Sequence, residues 1–447
     1  MNGNYGPNDF WQVKGAGNLE INESISTDDP RYVDLNKGRG DNVFNRLLRP
    51  LGFDNDCVPT LIDPSKNHYI LFCGHRGCGK STELNGLVKI FHRPDGYFVV
   101  YCNIMEDLNA NNIDYVDILF LAAQKLAEKL GDEKVKIDNK HIKNLKDFFD
   151  ERVITQIKSK DIETSIKAGV KAKAGFDFIG SIFGHFTTGF KDNATYKEEV
   201  RSSIKNNFSL FKTIFNRMLD EIKQKIVKTK KGKSLLIIFD GIDKIKKELC
   251  DQIFINNASQ LIQIETSFIY TVPINLFYEG RQINNYFQTY TLPMVILKRK
   301  DSIKPNKDGL EAMKDMLFRR VHPDLFDSGK TVNRIIKMSG GHPRELLHIL
   351  QETFNVSDTK MFDADSVEKG IDILKAGYVR ILGEKDYERL VRLAKTGDKE
   401  SDDIMTNLLY NSVVLEYNDY WREVNPIVSE SEDYKKALKK YGRKRKS

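Results

Sequence analysis

Residues His68–Leu84 read HYILFCGHRGCGKSTEL. Gly74, four further residues and then Gly79-Lys80-Ser81 give the spacing G-x-x-x-x-G-K-[ST], with an apolar run before it and a helical pattern after it. Glycines in such a loop let successive backbone N–H groups turn inward around phosphate oxygens, and the following helix adds the positive end of its dipole. The spacing therefore assigns Gly74, His75, Arg76, Gly77, Cys78, Gly79, Lys80, Ser81 and Thr82 to phosphate binding. Lys80 is expected to reach the β- and γ-phosphates and Ser81 to offer its hydroxyl to Mg²⁺. Such a site needs a second acid at the end of another buried strand. SLLIIFD, Ser234–Asp240, supplies Asp240 for the metal, across adjacent strands from Lys80, and Asp243 follows three residues later.

Five strand-like runs position these groups: Tyr69–Cys73, Tyr97–Cys102, Ser234–Asp240, Ser267–Thr271 and Leu292–Leu297. Helical patterns separate most of them, as in Tyr115–Leu130. Alternation of this kind predicts an α/β fold with a doubly wound parallel sheet. The chain has 447 residues, 40% hydrophobic and 30% charged, with 12 prolines, which suits two or three globular domains and excludes a mainly disordered or collagen-like chain. Five cysteines form no CxxC pair, as expected of free thiols in a reducing compartment. The N-terminal residues show no basic region followed by an apolar run, and no window approaches eighteen apolar residues, so a cytoplasmic protein without membrane contact is expected.

With these residues in place, the sequence resembles the AAA+/STAND class of P-loop ATPases, nearest its archaeal-type, NACHT-like and origin-recognition-like branches, over about residues 40–430. Residues 74–81 match Walker A and Ile237–Asp243 match Walker B. Thr271, in IYTVP, sits where the class keeps its polar sensor 1, and Arg344, in SGGHPREL, looks like its sensor 2 arginine. The resemblance implies a five-stranded P-loop ATPase core, a helical lid and a winged-helix domain. It also implies ATP with Mg²⁺, the absence of an NKxD guanine motif favouring ATP over GTP. The chain departs from the class at the catalytic acid. Gly241 follows Asp240 where ordinary members carry Glu, and Lys244 stands where NACHT-like members end D-G-h-D-E. Asp243 is then the candidate for orienting the attacking water, and slow turnover is expected. Arg299, Arg319 and Arg320 are candidates for an arginine finger, and Arg39 for approaching the adenine.

The expected organisation is an N-terminal segment (1–60), the ATPase core (61–300, with an insert at 135–230), a helical lid (301–382), a winged-helix-like domain (383–430) and a basic tail (431–447). Within the insert, residues 166–178 alternate with a period of two and predict a strand or hairpin. Residues 178–190, apolar and glycine-rich, continue it as a hairpin on the core or a surface for a partner or a second copy. Thr195 and Glu198 suggest a capping box opening a helix to about Lys228. Residues 434–447 carry eight basic and no acidic side chains against a net charge of +7 for the whole chain, so the remainder is near neutral. Such a tail either contacts nucleic-acid phosphates or is solvated. Residues 384–428 hold ten acids and six bases, the wrong sign for a DNA-facing domain, which favours protein interaction. The leading expectation is an ATP-dependent conformational switch with a protein effector, of a type found in bacterial signalling and defence against phage. The alternative is a DNA-associated ATPase resembling origin-recognition or transposition helpers, and the third a scaffold with negligible hydrolysis.

Overall fold

In the computed structural model, five strands form one sheet: β1 (Tyr69–Gly74), β2 (Tyr97–Asn103), β3 (Ser234–Asp240), β4 (Ser267–Pro273) and β5 (Gln288–Leu292). The structure describes residues 5–40, 43–136, 139–156, 180, 182–184, 186–187, 194–279, 281–300, 304–397 and 400–442. All neighbouring strands are parallel, in the order β2-β3-β4-β1-β5. Continuous apolar runs make β3 and β4 buried along their whole length, as interior strands covered on both faces must be. Helices α1 (Lys80–Phe91), α2 (Tyr115–Asp132), α3 (Asn139–Phe148), α4 (Ala194–Asn206) and α5 (Phe208–Lys228) accompany the sheet. Side chains alternate across it. Leu71, Phe98, Leu235 and Phe268 join the apolar cluster of α2, α4 and α5, whereas Ile70, Val99, Leu236 and Ile269 join that of α1 and residues 47–53.

The expected order of β1 and β3 is corrected here: β4 lies between them, so Lys80 and Asp240 do not face each other across adjacent strands. The fifth strand is also displaced. It is Gln288–Leu292, not Leu292–Leu297. Met294, Val295 and Ile296 instead run out of the sheet and donate their backbone N–H groups to Glu416, Gly341 and Gly38. The apolar run is there because three different segments bury it.

The alternating run 166–178 lies outside the described residues. Residues 178–190 are described in part, and there a strand and an exposed contact surface are both wrong. Residues 182–184 and 186–187 are helical. Ile182, Phe183 and Phe186 are fully buried, with Phe183 and Phe186 against Phe120 and Phe149. The helix expected to run to Lys228 is two helices, broken at Asn207, and Thr195 lies inside α4 rather than before it. A reciprocal capping box does occur at α2, between Asp114 and Asp117.

Beyond the sheet come α6 (Lys307–Phe318), α7 (Gly329–Ser339), α8 (Pro343–Val356) and α9 (Ala364–Val379). They share an apolar cluster with Phe10, Val13, Leu19 and Leu35. The rings of Phe10 and Phe354 stack with centroids 4.6 Å apart. Then follow α10 (Glu384–Thr396), α11 (Asp403–Tyr410), strand β6 (Val414–Glu416), strand β7 (Arg422–Val424) and α12 (Glu432–Gly442). The two strands form an antiparallel hairpin, turning through Asn418–Tyr420 as expected. The basic segment is not a solvated tail up to residue 442. It forms α12, whose Tyr434 and Ala437 are buried in one cluster with Leu390 and Val428. Residues 443–447 lie outside the described residues. Among the described residues no helix is long and apolar enough to cross a membrane.

Candidate functional site

Gly74 ends β1, and the loop 74–79 turns back over the sheet's carboxyl edge to start α1 at Lys80. Gly77 and Gly79 have φ of +81° and +103°, which side-chain-bearing residues rarely adopt. Gly77 has a second constraint: a Cβ there would sit 2.5 Å from Cβ of Arg344. The N-terminal turn of α8 thus packs directly onto the loop.

Lys80 is almost fully buried. Its Nζ donates to the carbonyls of Gly74 (2.9 Å) and His75 (2.7 Å) and lies 2.9 Å from Oδ2 of Asp243. Burial disfavours the ammonium, but Asp243, Cys78 and Asp240 outweigh it and the pKa is raised. For Asp243 burial works the other way, and Lys80 holds the carboxyl below its usual range. Asp240 accepts a hydrogen bond on Oδ2 from the Tyr101 hydroxyl at 2.8 Å. The Oδ1 atoms of both Asp240 and Asp243 are buried without a hydrogen-bond partner.

A cavity opens over Lys80. Gly77, Gly79, Lys80, Ser81, Thr82 and Asp243 line its floor, and Arg344 and Arg320 lie on the side of α8 and α6. Residues Ile21–Ile25 with Arg31, Tyr32, Val33 and Leu35 of the N-terminal segment wall it. Of the residues assigned from sequence, Gly74, His75, Arg76, Cys78, Asp240 and Thr271 lie outside this lining. His75 is buried, burial and then Lys80 pull its pKa down to about 3, and its Nε2 accepts the backbone N–H of Glu416 (3.0 Å). Arg76 turns to the carbonyls of Asp243 (2.7 Å) and Ile245 (2.8 Å) and lies over the Tyr410 ring. Thr271 is fully buried and accepts the N–H of Gly241 on Oγ1 at 2.9 Å, fixing the turn after Asp240.

Arg344 donates from Nε to the carbonyl of Ile21 (3.1 Å), and burial lowers its pKa against the opposing pull of Asp243. Among the arginine-finger candidates, Arg299 is exposed, Arg319 bonds the Pro30 carbonyl, and Arg320 reaches the cavity of its own chain. Arg320 is 5% exposed, bonds the Arg31 carbonyl, and burial brings its pKa down to about 10. Arg39 is not a surface residue but one of those that line the cavity. Fully buried, it bonds the carbonyls of Pro293 and Cys78 (the latter at 2.8 Å) and lies 3.6 Å from Glu83, bracing the loop from behind. One feature escaped sequence reasoning: the bracing of the loop by Arg39. A lone charged residue in a polar segment gives no periodic signal of burial.

A hydroxyl at Ser81 and unpartnered buried carboxylate oxygens at Asp240 and Asp243 are hard oxygen donors of the kind Mg²⁺ takes, so these residues fit the metal. Among the described residues no group of three or more His, Cys, Asp or Glu side chains forms a metal cluster of its own.

The loop, α1 and the parallel sheet make an α/β P-loop fold. No family model matches the sequence, and no curated protein matches it. Among solved structures, the chain is similar to the Walker-type ATPase PABY2304 of Pyrococcus abyssi, with 12% identity over 94% of this chain and 99% of that chain and a TM-score of 0.41. It is similar to Aeropyrum pernix ORC1, solved in complex with DNA, with 10% identity, 97% and 96% coverage and a TM-score of 0.37. A third is the Thermotoga maritima RuvB Holliday junction branch migration motor, with 13% identity, 64% and 98% coverage and a TM-score of 0.24.

Proposed function

We propose that the chain is an ATP-binding ATPase of the AAA+ type that works as a nucleotide-dependent conformational switch. One observation carries the reading: Lys80, Ser81 and Asp243 from the core, Arg344 from α8 and residues 21–25 and 31–33 of the N-terminal segment line a single cavity. ATP enters with its phosphates on the loop's backbone N–H groups and at the N-terminus of α1. Magnesium, held by Ser81 and Asp240, would neutralise charge on the β- and γ-phosphates. The γ-phosphate draws Lys80 away from Asp243, and the freed carboxylate orients the water. Arg344 and Arg320 add positive charge from the lid side, so the charge supplied elsewhere by a neighbouring subunit is available in cis. The proposed units are a core at 61–300, a lid at 301–382 and a winged-helix-like domain at 383–430.

Three hydrogen bonds support a switch in which the last unit moves with the loop: Tyr410 with Arg76, Glu416 with His75, and Asn418 with the Arg39 carbonyl. A protein effector, in signalling or defence against phage, is the partner that the resemblance suggests. A DNA-associated role gains less support. Helix α11, which a DNA reader would place in a groove, packs Met405, Leu408 and Leu409 in one cluster with Ile274 of the core. The test is calorimetric titration with ATP: the full chain binds, and Lys80→Ala weakens binding at least about tenfold, or about 1.4 kcal/mol. Equal binding by the variant would remove the proposal.

A further inference from the structure

Asp240 and Tyr101 lie on the sheet face that packs on α1, Asp240 in step with Leu236 and Ile238 of β3, Tyr101 in step with Tyr97 and Val99 of β2. The Tyr101 ring packs against that face's apolar cluster, which fixes where its hydroxyl points. The hydroxyl meets Oδ2 of Asp240 at 2.8 Å. Asp240 is 3% exposed, and its other oxygen has no partner. An ionised carboxylate presents two equivalent oxygens and can swivel. A hydrogen bond to one of them removes both the equivalence and the freedom.

We infer that Tyr101 is a positioning residue for magnesium–nucleotide binding: it holds Oδ2 of Asp240 and leaves Oδ1 as the oxygen offered to the metal. The inference rests on the ATP-binding reading and adds to it a residue from β2, an edge strand that contributes no phosphate-loop or metal motif. Hydrogen-bond partners of metal-ligating carboxylates typically govern metal affinity about 10- to 100-fold. An unpinned Asp240 must pay that orientation at the moment of binding.

The experiment titrates Mg²⁺ against the full chain in the presence of a fluorescent, non-hydrolysable ATP analogue, and repeats the nucleotide titration in EDTA. Tyr101→Phe keeps the ring and removes the hydroxyl. The expected result is a Mg²⁺ midpoint raised about tenfold with unchanged nucleotide affinity in EDTA. The unchanged EDTA affinity also shows that the variant is folded. In an Asp240→Ala background, Tyr101→Phe then has no further effect on the midpoint, because Tyr101 acts through Asp240. An unchanged midpoint, an equal loss with and without Mg²⁺, or an additive effect in the Asp240→Ala background overturns the inference. A wild-type chain that binds no nucleotide at all overturns the ATP-binding reading, and this inference with it.

Discussion

The ion pair between Lys80 and Asp243 joins the cation that would grip the terminal phosphate to the carboxylate that would orient the water. Both are buried, so their attraction is strong and neither is idle in solvent. In the proposed reaction, nucleotide would have to displace Asp243 from Lys80 before turnover. Asp243→Asn is expected to leave ATP affinity within about threefold of wild type, or to tighten it, because the competitor is gone. Phosphate release in a steady-state assay should fall by about 100-fold. Undiminished hydrolysis would move the water-orienting role to another residue. At this scale the sequence was most readable. A glycine-lysine-serine spacing specifies its own local geometry, and Lys80, Ser81 and Asp243 do line one cavity. His75 and Arg76 were read into the same cavity only because they share the loop. Their side chains depart from it toward partners more than 150 residues away in sequence, and no local pattern encodes that.

Among the elements, the strands with continuous apolar runs were legible and the edge strand was not. Strand β5 has the sequence QTYTL and is only partly covered, so half-polar residues suffice there. The adjacent LPMVIL looks more like a strand, yet its burial comes from the segments around Gly38, Gly341 and Glu416 rather than from a ladder. Hydropathy reports burial, not the geometry that produces it. Helices α6–α9 fall within the stretch 301–382 that was expected to be helical. Where the loop after β1 meets the β6 hairpin, burial leaves a pH signature. His75 has a folded-state pKa of about 3 against 6.5 for the free side chain. The unfolded chain thus binds the proton first, and the stability contributed by neutral His75 is complete above pH 6.5 and is lost as pH falls toward 3. His75→Gln removes this term. In chemical denaturation from pH 6.5 to about 4.5, wild type should lose about 2 to 3 kcal/mol more than the variant. Parallel curves for the two proteins would show that His75 is not held neutral.

For the whole molecule, the decisive arrangement is that the C-terminal segment touches the phosphate loop and the turn between α7 and α8 together. Tyr410 lies against Arg76, and Tyr417 donates to the Gly340 carbonyl at 2.7 Å. Loss of the Tyr410 ring and hydroxyl costs about 2 kcal/mol of docking, from one cation–π contact and one hydrogen bond. Tyr410→Ala is expected to release fluorescent ADP several-fold faster in a stopped-flow chase and to be cleaved sooner by protease under native conditions. Unchanged release and cleavage would uncouple this unit from the nucleotide. Long-range wiring of this kind was the least legible part of the sequence, because each contact joins segments with no shared periodicity.

The stacking of Phe10 on Phe354 has a further consequence, for how the molecule is made. On the ribosome, residues 5–40 emerge while the helices that cover them are still untranslated. Phe10, Val13 and Leu19 wait, apolar and uncovered, through the synthesis of roughly 340 residues before Phe354 and Phe362 arrive. The pocket's outer wall is consequently seated only once α8 is made, and a nascent chain stalled before α8 holds a finished sheet beneath an open roof.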